Sequence, residues 1–170
     1  MKRLIVLILS GIVVFGYLSC SKSNPVPYTP PCTNKTAFAD SSALISFAGD
    51  SIPLTHDSTG LIYHIIDSGN YVRAAPYSVL TVTYVARLMN NSIFDSASNS
   101  NLQGAELYQL IPGWQIGMQK IGIGGHIQLF IPSGLAWGCN GIVNQSSGVP
   151  VTVVPPDAPV YFDVKLIGIY

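Results

Sequence analysis

The chain has 170 residues, of which 48% are hydrophobic and only 9% are Asp, Glu, Lys or Arg, and its formal net charge is zero. That length supports one domain of ordinary size with a real core, but ordinary soluble domains carry about 25% charged residues, so Ser, Thr, Asn, Gln and Gly must cover much of this surface. The basic residues are scattered and form no stripe or patch, which excludes a nucleic-acid-binding protein.

Lys2 and Arg3 precede the uncharged run from Leu4 to Ser21, and Lys22 follows it, the layout of an export signal. The run closes on Tyr17-Leu18-Ser19-Cys20, which is similar to a bacterial lipobox, although Tyr17 replaces the usual aliphatic residue. The pattern predicts a signal peptide over residues 1–19, lipidation at Cys20, and a product anchored to the bacterial cell envelope, facing the periplasm or on the outer membrane. The alternative is an uncleaved anchor, since about 18 uncharged residues nearly span a bilayer. Either way the folded part is exported and tethered. Removing Lys2 and Arg3 from eight basic against eight acidic residues leaves it mildly acidic.

Residues 20–35 are rich in Pro, Ser and Asn and read as a tether that buries little surface. After Cys20, Cys32 and Cys139 remain as an even pair in an oxidising compartment, where disulfides persist. They are expected to be joined; two unrelated buried thiols are the other reading. Residues 36–59 form a helical extension, with a short amphipathic helix over Thr36 to Phe47 that spaces Phe38, Leu44, Ile45 and Phe47 at helical intervals.

The main domain spans residues 60–170. Gly60 to Asp67 reads as a strand. Val79–Leu88 alternates, with Leu80, Val82, Tyr84, Ala86 and Leu88 on the more apolar face. Asn90-Asn91 is a tight-turn signal, because Asn tolerates positive φ. The following strand brings in Ile93 and Phe94 and ends at Asp95-Ser96. Pro112-Gly113 introduces a short helix over Trp114 to Ile121, stacking Trp114, Met118 and Ile121. Gly124-Gly125 turns into a strand over His126–Ile131, and Val160–Ile167 is the last strand, with Val160, Phe162, Val164 and Leu166 inward. The fold class is α+β, an antiparallel sheet curling over a single short helix.

Five separated segments resemble the FKBP-type peptidyl-prolyl isomerases in type and order. They are strand Tyr84, the pair Phe94-Asp95, Leu110-Ile111 ahead of Pro112-Gly113-Trp114, Val153-Val154-Pro155-Pro156, and final-strand Phe162. The resemblance covers roughly Gly60 to Tyr170. It implies a peptidyl-prolyl cis-trans isomerase (a rotamase acting in protein folding), working as a monomer on proline-containing polypeptides, with macrolide-type ligands as further occupants. It also implies Tyr84, Phe94, Asp95, Trp137 and Phe162 as catalytic residues, and Leu110, Ile111, Trp114, Val153 and Val154 as substrate-binding ones.

Trp114 would be the floor under the proline ring, with Phe94, Val154 and Phe162 as walls. The Ile111 and Trp137 N–H groups would donate to substrate carbonyls, and Asp95 would orient the twisted amide. Four departures stand out. Trp137 replaces the corner tyrosine, keeping an N–H donor but losing an acceptor. The basic residue after Phe-Asp-Ser is missing. Leu102–Leu107 lacks the expected aromatic, and Cys139 to Thr152 makes the loop before Val153 longer.

Such a site works without an acid or base. Rotation about an X–Pro bond must break amide conjugation, against a barrier of about 18–20 kcal/mol. The twisted amide is less polar than the planar one, so a dry apolar cavity stabilises it by comparison. Taken singly, each residue has a plainer reading: Tyr84 and Trp114 as core, Asp95 as a turn residue. No cofactor is implied, and His56, His64 and His126 lack metal-ligand spacing. The rival is an FKBP-like binding or chaperone module that has lost turnover; a structural surface lipoprotein is a third reading.

Overall fold

The computed structural model describes residues 31–145, 148 and 150–170. The expected signal peptide, Cys20 and most of the tether lie outside the described residues. Among the described residues, no helix is long and apolar enough to cross a membrane.

Six strands form one antiparallel sheet. In chain order they are β1 (Thr55–His56), β2 (Ile62–Asp67), β3 (Leu80–Leu88), β4 (Ile93–Ser100), β5 (His126–Ile131) and β8 (Val160–Ile169). Their order across the sheet is β1-β2-β5-β8-β3-β4. Between β5 and β8 a separate hairpin pairs β6 (Ile142–Asn144) with β7 (Val151–Val154). The last strand therefore lies inside the sheet, bonded to β5 on one side and β3 on the other. Alternation decides which residues face the core. Leu80, Val82 and Ala86 of β3, Ile127, Leu129 and Ile131 of β5, and Val160, Phe162, Val164 and Leu166 of β8 are all buried in one cluster.

Helix α2 (Pro112–Gly117), extended by a 3-10 turn over Met118–Lys120, covers that cluster with Trp114, Met118 and Ile121. Its approach depends on two glycines one turn apart. A Cβ on Gly113 would lie 2.5 Å from Ile131 Cγ2, and one on Gly117 would lie 2.4 Å from Leu129 Cδ2. Hydrogen in place of a side chain lets the helix backbone rest directly on β5.

On the opposite face of β5, Phe130 packs with Ile62 and with Leu44 of α1 (Ser41–Ala48). The N-terminal helix starts later than its spacing suggests, because residues 37–40 form a turn that leaves Phe38 exposed. Ser41 Oγ donates to the Phe38 carbonyl, and the Asp40 side chain is drawn away to Ser133. Within 36–59 only Ser41–Ala48 is helical; β1 follows it.

Strand β4 continues through Ser100 instead of stopping at Asp95-Ser96, pairing Val82 with Ser100 and Tyr84 with Ala97. As a sheet edge it needs little apolar surface, so Ser and Asn serve there. Ile93 is 56% exposed rather than inward. The turn before it puts Asn91 at φ 68°.

Cys32 and Cys139 form a disulfide with Cα atoms 5.8 Å apart.

Candidate functional site

One end of the sheet holds a cavity of about 250 Å³ between α2, the β3–β4 pair and the loop after β5. Tyr84 projects from β3, Asp95 from β4 and Phe162 from β8; Leu110 and Ile111 lead into α2, which contributes Trp114, and Trp137 comes from the loop. Most of the aromatic rings meet edge to face, while Tyr84 and Trp137 lie tilted against Phe162 at 49° and 36°. Trp114 is 5.4 Å from Phe162 and 5.5 Å from Tyr84, with interplanar angles of 88° and 86°. Phe94 stands edge-on to Phe162 at 5.8 Å and to Trp137 at 5.9 Å. T-shaped pairs of this kind add about 0.5–1.5 kcal/mol beyond burial, and each ring fixes the orientation of the next. Trp114 and Phe162 are almost wholly buried.

The polar content of the cavity is small and organised. The Tyr84 phenol donates to Asp95 Oδ2 at 2.6 Å, and the Ser96 N–H donates to Asp95 Oδ1 at 2.8 Å. Asp95 is therefore oriented by a phenol and a backbone amide where a cation was missing from the sequence. Burial first, then the hydrogen bond and charge of Asp95, push the Tyr84 hydroxyl well above its ordinary value. It stays protonated and keeps donating.

Gln115 reaches back from α2, with Nε2 donating to the Leu110 carbonyl at 2.7 Å and the Tyr108 carbonyl at 2.9 Å. This fixes the segment that presents Ile111. Among the described residues, no hydrogen bond uses the Ile111 N–H.

A second groove of about 510 Å³ adjoins the cavity and shares Asp95 and Trp137 with it. Phe94 and Val153 line this groove with Ile142 and Val143, so they flank the cavity without facing it. Val154 lines neither. Its register partner is Ile142, and alternation along β7 turns its side chain into the core, where it is buried. The expectation that Val154 walls the cavity is therefore corrected: it supports the site from beneath.

Two lining residues escaped the sequence reading. Leu102 enters the cavity from a 3-10 turn where its φ is 53°, a conformation no composition signal announces. Gln109 had a signal. It stands three residues after Glu106 and its Oε1 accepts the Glu106 N–H at 2.9 Å, half of a capping box.

His126 lies on the opposite side of its strand from Ile127 and pairs with Asp163 at 2.6 Å. Among the described residues no three His, Cys, Asp or Glu side chains gather to hold a metal ion. The cavity offers apolar surface together with an oriented carboxylate, a phenol, the Trp137 indole and the Gln109 side chain.

Residues 71–167 match the family model described as FKBP-type peptidyl-prolyl cis-trans isomerase. The chain is similar to a probable FKBP-type peptidyl-prolyl cis-trans isomerase FkpA of Neisseria meningitidis, with 33% identity over 72% of this chain and 42% of that protein. It is 30% identical to the outer membrane protein MIP of Legionella longbeachae, over 65% of this chain and 45% of that one. The crystal structure of FkpA from Escherichia coli superposes with a TM-score of 0.61 at 29% identity, covering 79% of this chain and 60% of that chain. The chain thus spans less than half the length of these two curated relatives.

Proposed function

The chain belongs to the FKBP-type peptidyl-prolyl cis-trans isomerase family, and from that premise we propose that it catalyses rotation about X–Pro bonds of polypeptides outside the cytoplasm. The observation that carries the reading is the cluster of Tyr84, Trp114 and Phe162, in which Trp114 meets both other rings edge to face, with the Tyr84–Asp95 hydrogen bond at its rim. A proline ring is compact, apolar and small enough for such a cavity. The Trp114 indole supplies the floor, and Tyr84 and Phe162 exclude water from the amide.

As the C–N bond turns, conjugation and dipole fall together, so the dry site favours the twisted state over the planar one. Lowering the barrier by about 4–5 kcal/mol accelerates rotation roughly a thousandfold. The Ile111 N–H can hold a substrate carbonyl, while Asp95 orients the turning amide. Phe94 and Val153 then guide the chain where it leaves the cavity. The rigid apolar cavity also suits macrolide-type ligands. The leader pattern ending at Cys20, and the likeness to a protein titled as an outer membrane protein, support export and a lipid tether on the cell envelope.

Proline-peptide isomerisation followed by NMR exchange tests the reading. Acceleration at micromolar protein is expected, and none, with the domain shown folded, removes it. The replacement at Trp137 favours one other reading, a binding or chaperone module with little turnover. That reading requires suppression of client aggregation that survives Trp114→Leu.

A further inference from the structure

Residues 32–40, from the end of the tether to the start of α1, are fastened to the loop that carries Trp137, and the fastenings stand on both sides of the indole. Downstream of Trp137, Cys139 is joined to Cys32, and its N–H donates to Asn34 Oδ1 at 3.0 Å. Upstream, the Ser133 N–H donates to Asp40 Oδ2 at 2.8 Å, and the Ser133 hydroxyl donates to the same oxygen at 2.5 Å. Asp40 is 6% exposed and Ser133 is fully buried. Lys35 Nζ lies 3.8 Å from the other Asp40 oxygen.

The loop is shaped to accept this segment. A Cβ on Gly134 would lie 2.6 Å from the Lys35 carbonyl oxygen, and one on Gly138 would lie 2.1 Å from Asn34 Oδ1. A buried carboxylate is costly unless it is fully hydrogen-bonded. Leu44, which follows in α1, is already fully buried against Ile62 and Phe130, so holding α1 down does not by itself account for a charge at Asp40.

What the Asp40–Ser133 pair fixes is the start of the turn that runs Ser133–Leu135 and delivers Trp137 to the cavity and groove. We propose that Asp40 is a positioning residue for isomerisation, setting the Trp137 indole through its two hydrogen bonds to Ser133 from outside the isomerase core. The proposal rests on the isomerase reading. It makes the N-terminal extension a working part of the site: the edge that closes over the substrate is held from a segment ninety-three residues away.

The test uses the full chain labelled with 5-fluorotryptophan, in which Trp114 and Trp137 give separate fluorine resonances because the chain has two tryptophans. Asp40→Ala is expected to shift or broaden the Trp137 resonance while leaving that of Trp114 in place. It should also lower kcat/KM about tenfold under conditions where the variant is folded. Asp40→Asn keeps an acceptor for Ser133 and should restore both readouts.

Leu80→Ala controls for general destabilisation. It sits at the end of β3 away from Leu88, whose partner Val160 pairs with Ile131 just ahead of the turn, and it should move neither readout. An unshifted Trp137 resonance in folded Asp40→Ala overturns the proposal, as does equal loss of activity in Leu80→Ala. If the parent chain shows no acceleration at all, the isomerase reading fails, while the fluorine spectra still decide whether Asp40 sets Trp137.

Discussion

Tyr84 and Asp95 sit on adjacent strands, and the phenol of one donates to the carboxylate of the other at 2.6 Å across the mouth of the cavity. Neither residue is fully buried, so the bond contributes little to global stability while fixing the direction in which the carboxylate faces. A buried hydrogen bond to a charged group contributes about 1.5–3 kcal/mol, and the exposure of Asp95 to solvent reduces that here.

Asp95→Ala is therefore expected to lower kcat/KM by about tenfold through lost positioning while changing unfolding free energy by about 1 kcal/mol or less at this solvent-exposed rim. Tyr84→Phe should behave similarly, because it frees Asp95 to turn. Proline-peptide exchange rates and urea melts on the same samples compare the two effects. Stability lost with turnover retained would make Asp95 a turn residue.

Turnover should be flat between about pH 6 and 8, because no proton moves in the rotation. Tyr84, held above its ordinary pKa by burial and by Asp95, does not ionise there. A bell-shaped profile in that window would bring in an acid or base that the site does not hold.

Acid stability has a different source. Lys120 donates to Asp57 Oδ2 at 2.6 Å and lies 4.8 Å above the Tyr63 ring. That hydrogen bond first, with the Thr59 amide and hydroxyl, lowers the Asp57 pKa from 3.8 to about 2. A folded pKa below the unfolded one stabilises the fold above about pH 4, and the contribution is lost as pH falls through 2. Asp57→Asn should cost about 1 kcal/mol or less at neutral pH, given partial screening by solvent. Thermal melts should show that deficit shrink as pH falls below about 4 and vanish below 2; a deficit undiminished across that window contradicts the linkage.

Gly117→Ala is expected to destabilise the domain by about 1–3 kcal/mol, since the added methyl meets the Leu129 side chain. An alanine that left the melting midpoint unchanged would mean that α2 shifts freely on β5. Such freedom is incompatible with Trp114 as a fixed floor.

Breaking the disulfide by Cys32→Ser with Cys139→Ser should cost roughly 2–4 kcal/mol, mainly through a less constrained unfolded chain. Intact mass with and without reductant checks the bond itself, as a shift of about two daltons.

The core strands were legible because β3, β5 and β8 alternate over most of their length, and a period of two survives whatever packs above it. Helix α2 was legible from Pro112-Gly113 and the spacing of Trp114, Met118 and Ile121. The edge was not. The residues after Asp95 in β4 are polar, and they are strand only because β3 offers backbone partners, which is tertiary information. The site divides in the same way. Tyr84, Asp95, Trp114 and Phe162 stand on regular elements whose faces follow from alternation or helical spacing. Leu102 enters from a residue with positive φ, and Val154 turned inward because its register with Ile142, not its motif, decides its face. The link from Asp40 to Ser133 spans most of the domain and left no local trace.

Among the described residues, Val160–Ile169 is the strand that joins β1-β2-β5 on one side to β3-β4 on the other. Until it docks, those two groups of strands share no ladder, so closing the sheet depends on pairings between residues far apart in sequence. Such non-local closure comes late and slowly in folding, which makes docking of β8 the step that turns two loose groups of strands into one rigid sheet.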